Sequence, residues 1–219
     1  MKSVVQRLRQ RARTDDSGMT LIEVIVAISL IGIIATAAIG LSITSQKGTS
    51  VQQRKELAVT IASDAMEAVN ARSGATEPLT GLNYLLTGRT QGDVLTAWNA
   101  NTGVSGLATT YPGWDPGATS TSTMALDILK TVSRSGTTYS VYTLIGTCYI
   151  STPGGGDCTK NSPGETIPPA TIPAGKTPLS RVLVVVRWTA GSGCAASGCS
   201  YQTSSLVDAH DDLVWNTHD

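Results

Sequence analysis

The sequence predicts an α+β protein: a long N-terminal helix, membrane-crossing in its first half, packed through its second half on a C-terminal antiparallel sheet of about four strands. Three observations carry that prediction. A basic stretch runs directly into a long apolar segment. An amphipathic helical pattern follows without a break. Beyond residue 123, strand-like runs alternate with Gly-rich turns.

The bulk composition sets bounds. A chain of 219 residues suits one domain with extra segments and is too short for two large cores. Sixteen basic side chains balance sixteen acidic ones, so net charge offers no case for nucleic-acid binding. Charged residues make up 15% of the chain, against about 25% in ordinary domains. Gly, Ser and Thr are abundant and Phe is absent, a composition that suits an exported protein with long loops. The positive charge is concentrated at the start, where Lys2, Arg7, Arg9, Arg11 and Arg13 have no acidic neighbour among the first 13 residues. All four cysteines lie beyond residue 147, an even number that points to disulfides in an oxidising compartment.

The first element spans Leu21 to Ile43, 23 residues with a single ionisable group, Glu23. As a helix it covers roughly 34 Å, enough for a hydrocarbon core of about 30 Å. The basic stretch stays on the cytoplasmic side and the rest of the chain lies outside. Three readings fit such a segment. It is a plain anchor, a secretory signal cut after Ala37 in Ala35-Thr36-Ala37, or a leader removed ahead of the apolar run. Glu23 discriminates among them. A carboxylate inside an apolar helix costs about 2.5–3.5 kcal/mol, and neither an anchor nor an ordinary signal has a use for it.

The run Gly18-Met19-Thr20-Leu21-Ile22-Glu23-Val24 resembles the cleavage and methylation motif of type IV pilins and type II secretion pseudopilins. The resemblance implies a cut between Gly18 and Met19 by a membrane aspartyl peptidase, methylation of the new amine at Met19, and Glu23 as the fifth mature residue. Met19 stands where the family usually has Phe; both are large and apolar. Glu23 can then neutralise a terminal amine, its own or, as the family's models favour, that of a neighbour, which sets helix register during assembly. In a low-dielectric setting such a pair matters far more than at a surface. The implied partners are other pilin subunits, prepilin peptidase and methyltransferase, the pilus assembly platform and membrane lipid. The implied location is the cytoplasmic membrane, single-pass with the head outside, and then a cell-surface or periplasm-spanning filament. No enzymatic activity and no cofactor are implied.

The helix is expected to outlast the membrane. In residues 51–70, Leu57, Ile61, Ala65 and Val69 recur at four-residue spacing with Ala58, Ala62 and Met66 alongside, an apolar stripe on one face. Arg54, Lys55, Glu56, Asp64 and Glu67 occupy the rest, and Ser73-Gly74 is a stop. Met19–Arg72 would be roughly 80 Å long. Gly32, Gly40 and Gly48 interrupt it, read as close packing, local melting as in related filaments, or tolerance of Gly in membrane helices.

The expected divisions are a leader over 1–18, a transmembrane half over 19–43, an amphipathic half over 44–72, a loop-rich connection over 73–123 with a short helix near Asp93–Ala100, and a β head over 124–219. In the head, Leu126–Ser133 and Thr138–Ile150 read as a hairpin around Arg134-Ser135-Gly136-Thr137. Residues 151–178 are a Pro/Gly-rich connection, Arg181–Thr189 a well-buried strand, and Ser200–Asp208 a polar-alternating one. A VxVxW-like strand, a Gly-rich loop and a final strand resemble minor pilins and small pseudopilins more than a major pilin.

Cys148 and Cys158 are ten apart, Cys194 and Cys199 five apart, and each pair brackets turn sequence beside a predicted strand. Of three connectivities, local pairing is expected. A zinc site lacks the usual short spacing, so no metal is assigned. His210 and His218 sit among Asp208, Asp211, Asp212 and Asp219, where a solvated terminus is the simpler reading. Gly191-Ser192-Gly193 lies between strands, so it is not a phosphate loop, and no catalytic constellation is apparent. Trp98, Trp114, Trp188 and Trp215 are assigned to packing. Two other classes remain alongside the filament subunit: a secreted soluble protein cut after Ala37, and a monomeric membrane-anchored binding module.

Overall fold

The computed structural model describes residues 20–73, 82–152, 155–189, 194 and 198–208. The chain divides into two compact units, Met1–Ser50 and Val51–Asp219. Helix α1 (Leu21–Ser73) is the first element and is followed by α2 (Leu82–Leu86) and α3 (Gln91–Ala100). Strands β1 (Tyr111–Pro112), β2 (Leu129–Arg134), β3 (Thr137–Ser151), β4 (Lys176–Trp188) and β5 (Cys199–Asp208) complete the order. This is an α+β layout with a long N-terminal helix and an antiparallel sheet.

Within the second unit, the C-terminal part of α1 buries the stripe that its sequence pattern marks. Ala58, Ile61, Ala62 and Val69 are buried, and Leu57, Ala65, Met66 and Ala68 are half-buried against them. Lys55, Glu56, Asp64 and Glu67 are exposed on the opposite face. The small residues Ala58 and Ala62 let the helix lie close on the sheet. There it meets Tyr139, Val141 and Ile145 of β3 and Val182, Val184, Val186 and Trp188 of β4. Tyr139 and Trp188 are register partners whose rings lie 5.8 Å apart, and the Tyr139 hydroxyl donates to the Arg54 carbonyl at 3.3 Å.

The sheet is antiparallel, in the order β1-β3-β4-β5, with β2 also paired to β3. Both β2 and β1 lie along one side of β3, opposite Thr137–Tyr142 and Gly146–Thr147 respectively. The sequence predicts four strands; the fifth is the two-residue β1, too short and too proline-bearing to read from alternation. Gly146 makes room for it. A Cβ there would run into the Tyr111 carbonyl, Thr110 and Trp98. The third strand also differs from expectation: β4 begins at Lys176, not Arg181. Pro178 lies inside it, opposite Tyr149. It is tolerated because β5 pairs with β4 only from Leu179 onward, so no bond is asked of the missing N–H.

The larger correction concerns residues 82–123, which the sequence pattern assigns mostly to loop. From α3 to Leu107 they form a second layer on the other face of the sheet, while Leu85 of α2 joins the core beneath α1. Val94 and Ala97 of α3, with Val104 and Leu107, pack on Leu144 of β3 and Leu183 and Val185 of β4. After α3, three successive turns (Val104 N–H to Asn101 O, Leu107 N–H to Val104 O, Thr110 N–H to Leu107 O) present those apolar residues every third position. Thr90 caps α3, its hydroxyl accepting from the Asp93 N–H at 3.2 Å and donating to the Asp93 carboxylate at 2.7 Å. Thus β4 is covered on both faces, which is why it reads as unbroken valines rather than an alternation.

Candidate functional site

Helix α1 begins at Leu21, and the N–H groups of Glu23 and Val24 both donate to the Thr20 carbonyl, at 3.0 and 3.3 Å. Thr20 and Glu23 have the Thr-x-x-Glu spacing of a capping box. The Glu23 side chain does not close that box. Among the described residues no hydrogen bond or ion pair reaches its carboxylate, and the side chain is exposed. Glu23 therefore places an exposed carboxylate in the first turn, where the helix dipole favours negative charge.

The rest of the first unit gives this charge an apolar setting. Leu21, Ile31, Ile33 and Leu41 are each at least 65% exposed, so the described residues offer them no core. The hydroxyls in the segment turn back onto the helix: Ser29 donates to Ile25 O, Thr36 to Ile33 O and Thr44 to Gly40 O, at 2.8–3.0 Å. That satisfies polar groups without water, as a lipid environment requires. A Cβ on Gly32, Gly40 or Gly48 would touch nothing in this chain, so no internal packing accounts for these glycines. The helix is long and apolar enough to cross a membrane.

The description "prokaryotic N-terminal methylation motif" matches residues 13–39. The chain carries the type IV pilin and pseudopilin signature. No curated protein and no solved structure matches it. The signature supports a pilin-like or pseudopilin precursor, and it marks structural subunits processed by prepilin peptidase and assembled with their like. Gly18 and Met19, which the motif places at the cleavage point, lie outside the described residues. Glu23 lies in the first turn of α1, inside the matched stretch. Ala37, the alternative cleavage position, lies within α1, which continues unbroken to Ser73.

In the second unit, Cys148 is bonded to Cys158 and Cys194 to Cys199, with Cα separations of 5.3 and 4.9 Å. The first pair is buried and closes the start of the segment that links β3 to β4. Arg181 braces the same region. It donates from Nη1 to Gly106 O, Thr109 Oγ1 and Thr110 Oγ1 at 2.8–3.0 Å, and from Nη2 to Cys158 O at 2.7 Å. Partial burial pushes its pKa down while Asp157 pushes it up. Nearby, the Tyr111 hydroxyl donates to the Glu165 carboxylate and accepts from the Asn161 N–H. That bond holds the Glu165 carboxyl below its ordinary value.

Arg89 is 1% exposed and donates to the carbonyls of Leu126 and Thr143, fastening the α2–α3 connection to the sheet. Burial lowers its pKa to about 10, opposed by the charge of Asp127. Asp115 accepts from the N–H groups of Gly88 and Gly117, both at 2.9 Å, which holds its carboxyl below the ordinary range. Nothing in the sequence singles out Arg89, Asp115, Tyr111 or Glu165. Their partners are mostly backbone groups distant in the chain, which leave no motif. Only Thr90-x-x-Asp93 carries a local signal, a cap at the start of α3.

Trp98 and Trp114 are half-buried against the second core and Trp188 is buried in the first. Among the described residues no group of three His, Cys, Asp or Glu side chains could hold a metal ion. His210, His218, Trp215 and Gly191-Ser192-Gly193 lie outside the described residues.

Proposed function

We propose that the chain is the precursor of a minor pilin-like or pseudopilin subunit, built into a type IV pilus or type II secretion-like filament. Residues 1–18 are its leader, 19–43 its transmembrane half-helix, 44–72 the amphipathic half, 73–123 the connection and 124–219 the head. Prepilin peptidase cuts between Gly18 and Met19 and the Met19 amine is methylated. The subunit waits in the cytoplasmic membrane with its head outside. The assembly platform then draws it into a cell-surface or periplasm-spanning fibre. Assembly transfers the apolar residues of 21–43 from lipid to neighbouring helices, and Glu23 sets their register by meeting a neighbour's terminal amine.

The observation that carries this reading is the position of the methylation motif. It spans the change from basic to apolar sequence, with an exposed carboxylate in the first helical turn. Glu23 has a cost in lipid of about 2.5–3.5 kcal/mol that only a partner charge offsets. Intact-mass measurement of the protein from its own cells tests the reading. A chain beginning at N-methylated Met19 is expected. A chain beginning at Ala38 would make it a secreted protein, and an intact Met1 an ordinary anchored one.

A further inference from the structure

The sheet has two outer edges, and they differ in what they offer to another chain. One is formed by β1 and β2 alongside β3. β1 is two residues long and contains Pro112, and β2 has six residues with Lys130 and Arg134 exposed. Short length, proline and charge are the devices that keep an edge from pairing with another chain. The other edge is β5, whose one strand neighbour among the described residues is β4. It has ten residues, no proline and no charged residue before Asp208. It pairs with β4 residue for residue from Cys199 to Asp208, so no bulge turns it aside. In an antiparallel pair alternate residues direct both N–H and C=O away from the partner, so roughly half of β5 has its backbone groups on the open side.

Two features prepare this edge for a partner. β5 is already fixed in place: Tyr201 and Val207 pack against the core beneath α1, and the Cys194–Cys199 disulfide holds its first residue. An incoming strand therefore orders only itself. Beside the edge lies an open recess of about 290 Å³, lined by Gln202, Ser204 and Leu206 of β5 with Ser105 and Gly106 of the second layer. Those three β5 residues are exposed, and Arg181 is the one ionisable side chain that lines the recess. Its guanidinium is held by neutral groups, the carbonyls of Gly106 and Cys158 and the hydroxyls of Thr109 and Thr110. Asp157, which acts on its charge, is not among the lining residues. An acidic side chain entering the recess thus meets a cation with no carboxylate beside it there.

We propose that β5 accepts an extended segment of another protein as an added strand, with an acidic side chain of that segment in the recess at Arg181. The occupant follows from the chemistry. A row of N–H and C=O groups is matched by an extended backbone, because a helix uses those groups on itself. Side chains alternate along an added strand, so every second one lies on the recess side, where Arg181 favours negative charge. A second copy fits this edge less well. Antiparallel pairing of two β5 edges places a twofold axis through the sheet, which reverses one copy's α1 relative to the other's. Copies anchored in one membrane by that helix run in the same direction. The inference goes beyond the filament reading, since β5 and its recess belong to the head whether or not the chain polymerises.

The test uses the full chain in detergent and a short fluorescent peptide of alternating Thr and Val with one central Glu. Saturable binding is expected, with hydrogen exchange slowed at amides of β5 and unchanged at amides of β2. N-methylating one alternate set of peptide nitrogens, but not the other, is expected to weaken binding roughly tenfold or more, and Lys in place of Glu likewise. Ser204→Glu in the recess is expected to weaken the Glu peptide to a similar extent and to spare the Lys peptide. Unchanged exchange along β3 confirms that the variant is folded. Absence of binding, slowed exchange at β2 instead of β5, or affinity indifferent to N-methylation would each overturn strand addition. Equal affinity for the Glu and Lys peptides would overturn the acidic partner. Protection of β5 that grows with protein concentration in the absence of peptide would assign the edge to a second copy and overturn the proposal. A chain that binds the peptide yet begins at Ala38 would keep the contact and remove the filament reading instead.

Discussion

Asp115 and Glu165 illustrate how single carboxylates can hold the head together only while they are charged. Asp115 receives two backbone N–H bonds and Glu165 receives the Tyr111 hydroxyl, and both carboxyls are held below their ordinary values of 3.8 and 4.5. Each binds a proton less readily folded than unfolded. Their contribution to stability is therefore complete above those ordinary values and is lost as pH falls through the lower, folded ones. Stability should begin to decline below pH 4.5, first through Glu165 and then through Asp115. Urea midpoints of the full chain in detergent, followed from about pH 6 to about pH 2, are expected to fall less steeply in the Asp115→Asn, Glu165→Gln double variant. Parallel curves would show that other groups govern acid sensitivity. These residues are silent in the sequence because an Asp or Glu in a polar loop has many solvated uses. Glu23 is legible because a charge within an apolar run has few.

Among the elements, β3 and β4 carry the head, and Gly146 shows how tightly they are covered. β1 pairs with β3 at this point, with the Tyr111 carbonyl where a side chain would begin. Gly146→Ala would gain roughly 0.5–1 kcal/mol from reduced backbone freedom in the unfolded chain. Overpacking against backbone costs about 1–3 kcal/mol, which outweighs that gain, so the variant should be less stable. Thermal melts read by near-ultraviolet circular dichroism should show a lower Tm; an unchanged or raised Tm would mean that β1 moves aside freely. The strands themselves are readable in sequence to within a few residues, except where Pro178 hides the start of β4. The second layer is not. Residues 82–110 have short apolar groups spaced for α3 and its following turns, too few to show a period until Leu144, Leu183 and Val185 give them something to cover.

Across the whole molecule, one helix serves two environments: among the described residues its apolar first part has no core, and one face of its later turns is buried in the head. If Glu23 acts in register, Glu23→Ala should leave membrane insertion intact, or improve it by removing a cost of about 2.5–3.5 kcal/mol, while lowering recovery in sheared filaments. Quantitative blots of membrane and filament fractions check this; equal filament recovery would remove the role assigned to Glu23. The methylation motif and the apolar helix are legible in the sequence alone, because they depend on local order along the chain: charge, then Gly18-Met19, then apolar residues with one carboxylate. The covering of both sheet faces and the bracing by Arg89 and Arg181 were decided only by tertiary structure. Each depends on residues tens of positions apart becoming neighbours, and that proximity arises from burial of the two cores rather than from any pattern in the chain.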